Sequence, residues 1–342
     1  MKINTTPLST AAVASLITCA LIGPLSVSAA PGTLSDSPLF LSNSVEPNIL
    51  FTIDDSGSMD WGVMTPENSG IVNLGCAYFY VQPAADNDYF WMVPTEAALM
   101  AQGVAAPYGG VWRGWNKDYN AVYYDPDLTY LPWPGEDSAG NLYTDANPSA
   151  APINPYTPGA GTVDLTSATT YTTDYCAGGL GNFTVNLFPA QYYTWTDTDS
   201  NGTVDAADGH TLVEIRPATP FYVNGSPRRK CSASFVCTYA EEIRNFANWF
   251  SYYRKREHVA KSAYGQVIAG ASNARMGLVT LHNNAGVKTA LDSMNQDPTS
   301  GAKGTLLDSL YSFQASGGTP LRTALDESGK YLACDPNTNF GT

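Results

Sequence analysis

Two stretches place hard oxygen donors at alternate positions, the spacing that lets one loop wrap a divalent cation. Residues 48–59 read Asn-Ile-Leu-Phe-Thr-Ile-Asp-Asp-Ser-Gly-Ser-Met, so the apolar run Ile49–Ile53 ends in Asp54, Ser56 and Ser58. Gly57 allows a tight turn between the two serines. One carboxylate and two hydroxyls suit Mg2+, Mn2+ or Ca2+. The second stretch is Asp197-Thr-Asp199-Ser-Asn201-Gly202-Thr203-Val204-Asp205-Ala-Ala-Asp208. Here Asp197, Asp199, Asn201, Asp205 and Asp208, with the Thr203 carbonyl, could surround a seven-coordinate Ca2+, while Gly202 makes the sharp turn. Val204 would anchor the loop to apolar neighbours.

Catalysis finds less support. The histidines are His210, His258 and His282, and none stands in H-E-x-x-H or beside a serine elbow. Ser56 lies in Asp-Ser-Gly, and the glycine-rich stretches lack a Walker lysine. His258 reads as a surface or interfacial residue of a helix. Arg228-Arg229-Lys230 and Arg254-Lys255-Arg256 read as short solvated charge runs. The expectation is a binding protein that is not an enzyme. A net charge of −14 argues against nucleic acid and anionic membrane surfaces.

The elements that must hold these loops are alternating strands and helices. Ile49–Ile53 reads as a strand buried on both faces of a parallel sheet, whose C-terminal edge is where open α/β sheets bind ligands. Thr238 with Glu241 forms a capping box opening a long helical stretch to about Ala269, with Ile243, Phe246, Ala247, Phe250 and Tyr253 on one face. Residues 275–281 read as a strand, 303–313 as a weaker helix, and 321–332 as another. Gly317-Gly318-Thr319-Pro320 opens that last helix, with Thr319 expected at its N-cap and its hydroxyl free to bind. The fold class is therefore α/β with a parallel sheet.

From Gly62 to about Lys230 the chain is rich in Gly, Pro, Asn, Asp, Tyr and Trp without helical periodicity, and five of the seven Trp fall here. That composition predicts an ordered, irregular or β-rich insertion after the first strand, since a disordered linker lacks such aromatics. Its Tyr and Trp side chains would either set ligand specificity or form the insertion's own core. The N-terminus has Lys2, the apolar stretch Ala11–Leu25 and the small residues Val27-Ser28-Ala29, the layout of a cleaved secretory signal. No later segment is apolar enough to span a bilayer. Removing residues 1–29 leaves Cys76, Cys176, Cys231, Cys237 and Cys334 for an oxidising compartment, where disulfides are expected. The odd count leaves one without a partner in the chain, and Cys334 is the candidate. Their spacing fits no zinc site. The expected organisation is a signal at 1–29, an N-terminal segment at 30–46, the first strand and metal loop at 47–61, the insertion at 62–237 and the rest of the α/β domain at 238–342.

The Asp54-x-Ser56-x-Ser58 loop resembles the first loop of the metal-ion-dependent adhesion site of von Willebrand factor A domains, and Thr319 matches its second loop. The Asp197–Asp208 stretch follows the EF-hand loop pattern, closer to dockerin-like loops because Asp208 stands where Glu is usual and flanking helices are not evident. Asn245-Phe-Ala-Asn-Trp-Phe-Ser-Tyr-Tyr-Arg254 resembles a signature of the PilY family of type IV pilus tip-associated proteins. So does the run from Tyr119-Asn120 through Tyr123-Tyr124-Asp125-Pro126 to Tyr130-Leu131-Pro132-Trp133.

That resemblance implies a secretion signal, an A-type domain and a C-terminal β-propeller, with roles in pilus assembly, adhesion and surface attachment, extending to twitching motility. It implies that Ser56, Ser58 and Thr319 hold Mg2+ or Mn2+, with Asp54 binding directly or through water. The family site also takes an Asp after the next strand, usually in an Asp-Gly pair. No such pair follows Thr319, so the expectation is a fragment whose A-type domain is incomplete at its C-terminus. Expected partners are pilus subunits or minor pilins and a host or surface ligand presenting an acidic residue. The expected location is the cell surface, pilus tip or outer membrane. The competing readings are a calcium-stabilised structural module and a secreted metal-dependent hydrolase.

Overall fold

The computed structural model describes residues 45–66, 71–72, 79–80, 111–174, 182–282 and 287–338. The chain divides into two compact units, Met1–Val45 and Glu46–Thr342; the signal reading, Trp91, Cys76 and Cys176 lie outside the described residues. In chain order the second unit carries strand β1 (Asn48–Ile53), the hairpin β2 (Thr169–Asp174) and β3 (Asn182–Leu187), and a second hairpin, β4 (Gln191–Thr196) and β5 (Gly209–Glu214). A short ribbon, β6 (Phe221–Val223) with β7 (Val236–Thr238), leads into helices α1 (Tyr239–Tyr252) and α2 (Arg256–Gly270). Strands β8 (Arg275–Thr280) and β9 (Thr289–Ser293) and helices α3 (Gly301–Ser312) and α4 (Leu321–Leu332) follow.

Three of these strands form one sheet in the order β1-β8-β9. β1 runs parallel to β8, pairing Asn48 with Arg275 through Ile53 with Thr280, although more than 200 residues separate them. β9 closes the other edge antiparallel. β8 is buried from Met276 onward, as a central strand should be. β1 departs from the expectation of burial on both faces: Asn48 and Ile49 are exposed, Leu50 to Thr52 half-buried, and only Ile53 fully buried. The cause is its place at the edge of the described sheet. α3 packs on β8 and β9, and α4 packs on β1 and β8, where the hydroxyls of Thr52 and Ser328 meet at 3.1 Å.

α1 starts at its capping box. The Glu241 carboxylate accepts from the Thr238 amide at 2.8 Å, and the Thr238 hydroxyl accepts from the Glu241 amide at 3.4 Å. The single helix expected to reach Ala269 is in fact two, broken at residues 253–255. Tyr253 ends α1 with its N–H on the Trp249 carbonyl, and the Arg254 guanidinium folds back to donate to the carbonyls of Phe250 and Ile153. The two following helices cap each other. Lys261 on α2 donates to the carbonyls of Tyr311 and Phe313 at the end of α3, and Lys303 on α3 donates to those of Ala269 and Ala271 at the end of α2. Cations at helix C-termini satisfy carbonyls that have no partner within the helix.

Among the described residues, the buried aromatic side chains of the inserted segment share one core with α1. Trp112, Trp115, Tyr124 and Trp133 are buried in one cluster with Phe246, Trp249 and Phe250 of α1. Tyr124 lies 4.9 Å from Phe246, Tyr123 lies 4.8 Å from Trp249, and Trp133 stacks on Tyr311 of α3 at 4.8 Å. Polar side chains fix the register. Asn245 accepts from the Tyr130 amide and donates to the Leu128 carbonyl. Asn248 accepts from the Ala146 amide and donates to the Tyr130 carbonyl and Asp145. Trp249 donates to the Val122 carbonyl. An irregular segment has backbone groups that no ladder satisfies, and these side chains of α1 satisfy them. The two signature stretches are therefore the two halves of one docking interface.

Candidate functional site

The carboxyl end of β1 delivers Asp54, Ser56 and Ser58 into a turn, and the residues just before α4 come to meet it. The Asp54 carboxylate accepts from the Ser56 amide at 2.8 Å, and the hydroxyls of Ser56 and Ser58 lie 3.3 Å apart. A 3-10 turn, Gly57–Asp60, carries Ser58. The Gly57 amide donates to the Gly317 carbonyl at 3.0 Å, and the Ser316 amide donates to the Asp55 carbonyl at 2.7 Å. These two bonds staple the loops together and set Thr319 two residues from the junction. Gly317 has φ +68°, and a Cβ there would fall 2.0 Å from the His282 ring, so no other residue fits. Thr319 is exposed and is not the N-cap: Pro320 holds that place, without a side-chain cap. A proline N-cap with no side-chain acceptor leaves the Thr319 hydroxyl outside the helix.

Asp55 and His282 were missed by the alternate-position reading. Asp55 is buried, and its carboxylate accepts from the His282 amide at 2.6 Å. The His282 ring nitrogen Nδ1 accepts from the Gly318 amide at 3.0 Å. Each ties one loop to the end of β8. The available signal was the Asp-Asp pair itself, because successive residues off a strand point to opposite sides. At the far end of the turn, Asp60 pairs with Lys255 at 2.5 Å; burial nonetheless pushes its carboxyl above the ordinary value.

The spacing of the serine hydroxyls bears on what the turn could hold. Cis ligands around a six-coordinate ion stand about 3 Å apart for Mg2+ and about 3.4 Å for Ca2+, from the metal–oxygen lengths. The Ser56–Ser58 separation lies in that range, and Asp54 keeps one carboxylate oxygen beyond the one bonded to Ser56.

The second loop joins β4 to β5, so strands flank it, in agreement with the lack of helical signal. Oxygens of Asp197, Asp199 and Asp208 lie within 4.8 Å of one another. Asp208 is buried and accepts from the amides of Thr198 and Asp205, which close the loop and hold its carboxyl below the ordinary range. Asp197 accepts from the amides of Asn201 and Gly202, with Gly202 at φ +75° making the turn. Asn201 bridges Asp199 and Asp205 through its amide nitrogen, and its oxygen accepts from Thr203. Asp205 thus faces Asn201 and its own turn, outside the three-carboxylate group. Val204 packs against the core.

Other expectations are corrected. His258 is buried, not on the surface, with burial first and then Arg254, Lys255 and Lys261 pushing its pKa well below the ordinary value. Arg228 is buried against Glu242, and Arg254 is buried under the segment at Ile153; neither run is merely solvated. Cys231 and Cys237 form a disulfide, and Cys334 is exposed without a disulfide partner among the described residues. Among the described residues no helix is long and apolar enough to cross a membrane.

An α/β sheet whose strand ends gather carboxylate and hydroxyl side chains, clad in an aromatic-rich insertion, is the class of protein on view. Three curated relatives are similar to this chain over most of its length. The type IV pilus biogenesis factor PilY1 of Pseudomonas aeruginosa strain UCBPP-PA14 is 28% identical over 310 residues, which is 87% of this chain and 22% of the relative. PilY1 of strain PAK is 26% identical over 341 residues, or 94% of this chain and 24% of the relative. The resemblance to the PilY family is borne out by these matches. The chain spans less than a quarter of the length of the relatives it matches. No family model and no solved structure matches it.

Proposed function

We propose that this chain is part of a type IV pilus biogenesis factor and acts by binding, as a cell-surface adhesion or assembly module of the von Willebrand factor A type. The observation that carries the reading is the stapling of the Asp54–Ser58 turn to the Gly317–Thr319 loop at the end of a parallel strand, the edge where open α/β sheets take ligands. Asp54, Ser56, Ser58 and Thr319 would hold Mg2+ or Mn2+. When bound, the ion supplies an open coordination position for an acidic side chain of a pilus subunit or surface ligand. Asp55 and His282 would orient the loops, and Asp60 with Lys255 would brace the turn.

The relatives carry the pilus part of the proposal, because all three are named as type IV pilus biogenesis factors. The test is Ser58→Ala in the full-length protein. Loss of piliation or surface attachment with the thermal transition unchanged supports the reading. Wild-type attachment overturns it.

A second reading rests on the Asp197, Asp199 and Asp208 grouping. In it the Asp197–Asp208 loop takes Ca2+ and stiffens the β4–β5 hairpin, and the serine turn plays no part in adhesion. Attachment lost in Asp197→Ala and retained in Ser58→Ala favours this structural role.

A further inference from the structure

The ribbon of β6 and β7 leaves one edge open. The Tyr239 amide donates to the Pro220 carbonyl at 3.1 Å and the Asn224 amide to the Phe235 carbonyl at 2.9 Å. By alternation, the hydrogen-bonded pair between them is Tyr222 with Cys237, and the main-chain groups of Phe221 and Val223 point away from β7. Among the described residues, the amides and carbonyls of Phe221 and Val223 have no hydrogen-bond partner. The outer edge of β7 is already taken. Val236 exchanges bonds with Ala233, and the Thr238 amide goes to the Glu241 carboxylate.

The side chains along the open edge are apolar and uncovered. Phe221 is 61% and Val223 79% exposed, and Phe235, next to the residue opposite Val223, is 50% exposed. Charged side chains commonly blunt an edge strand, yet residues 217–227 carry none. The ribbon is also held firmly. The Cys231–Cys237 disulfide closes it, and the buried Tyr222 accepts from the Arg216 amide through its hydroxyl at 2.7 Å. At its turn, the Asp127 carboxylate accepts from the Gly225 and Ser226 amides at 2.6 and 3.1 Å. An edge fixed in this way takes up another strand with little ordering cost of its own.

The free main-chain groups select an extended chain as occupant, because only a strand meets donors and acceptors at that repeat. The surrounding charge selects its chemistry. Arg229 lies in the turn beyond the Val223 end of the edge and is exposed. Its amide donates to the Thr129 hydroxyl, while its guanidinium has no hydrogen-bond or ion-pair partner among the described residues. A second copy fits poorly. Two-fold pairing about Tyr222 would send Arg229 toward the Arg216–Glu214 pair of the other copy, whose acid is already engaged at 2.7 Å. Each copy also carries a net charge of −14. We propose that β6 is a strand-addition site for an extended segment of a partner protein, apolar at alternate positions and bearing an acidic residue that meets Arg229. Phe221 and Val223 supply two amides and two carbonyls to the new ladder, and their side chains pack against the apolar positions of the segment.

None of these groups belongs to the metal loops, so the outcome is independent of the metal readings. The probe is the fluorescent peptide Asp-Val-Thr-Val-Thr-Val-Asp, followed by anisotropy on the whole chain. Its comparisons are a peptide with Lys at both ends and one with its three central amides methylated. Saturable binding is expected, at least about tenfold weaker for the methylated peptide and about fivefold weaker for the Lys peptide. Val223→Pro removes one outward amide and no bond between β6 and β7, so it should weaken binding about fivefold at an unchanged thermal transition. Arg229→Glu, at an exposed position, should reverse the preference between the Asp and Lys peptides. No saturable binding, equal binding of the methylated peptide, or an unchanged charge preference in Arg229→Glu overturns the proposal. So does a concentration-dependent dimer in sedimentation velocity that Val223→Pro dissolves, because the edge then belongs to a second copy.

Discussion

Replacing Asn248 by alanine tests the claim that α1 reads the backbone of the inserted segment. The side chain is 1% exposed and holds the Ala146 amide at 2.8 Å, the Tyr130 carbonyl at 3.0 Å and the Asp145 carboxylate at 2.8 Å. Ala146 and Tyr130 are both buried, so the substitution removes a partner from two backbone groups that water cannot readily reach. Each such orphaned group costs about 1–3 kcal/mol, which sets the expected loss at about 3 kcal/mol once partial hydration is allowed for. Urea unfolding should show a lower midpoint at an unchanged slope, because the surface exposed on unfolding stays the same. Arg244→Ala, on the exposed side of the same helix, is the control and should change stability by under about 0.5 kcal/mol. If Asn248→Ala costs no more than this control, the asparagine contacts do not hold the insertion and the interface is purely aromatic.

Two further outcomes follow from charged groups. Burial pushes the Glu241 carboxyl up, but hydrogen bonds from Ser232 and the Thr238 amide outweigh it and bring it down to about 2 from 4.5. A depressed folded-state pKa contributes stability that is complete above about 4.5 and lost as pH falls toward 2. Glu241→Gln should therefore flatten the fall in stability across that window in denaturation series, and an unchanged slope would contradict the capping-box account. The Arg228–Glu242 pair is almost wholly buried, with Tyr124 donating to Glu242 at 2.6 Å and burial raising the Glu242 carboxyl. Arg228→Ala strands a buried carboxylate and should cost about 4 kcal/mol, with part of it recovered on adding Glu242→Gln. Equal stability of the single and double variants would contradict it.

The legible parts of this fold were those specified by local chemistry. The capping box fixed the start of α1, and the Gly-Gly-Thr-Pro run located the start of α4 while placing its N-cap one residue early, at Thr319 instead of Pro320, because caps and turn residues act within a few positions. Residues 303–313 came within two residues of α3. The break between α1 and α2 was not legible, because it depends on Arg254 reaching the carbonyl of Ile153, 101 positions away in sequence. Burial of Arg228 and His258 was hidden for the same reason: charge in sequence says nothing about a partner brought in by the fold. Asp54, Ser56 and Ser58 were visible from spacing, while Asp55 and His282 needed the meeting of three chain segments to acquire a role. In the described part of the insertion, only the structure shows that the aromatic core is shared with α1.

The central claim is that the turn after β1 holds a divalent ion, and titration calorimetry with Mg2+ and Ca2+ tests it most directly. Wild type, Ser58→Ala and Asp197→Ala would be compared at equal thermal stability. The account predicts one Mg2+-competent event lost in Ser58→Ala, and a separate Ca2+ event lost in Asp197→Ala. Mg2+ binding that survives Ser58→Ala unchanged, or is absent from the folded wild type, would contradict it.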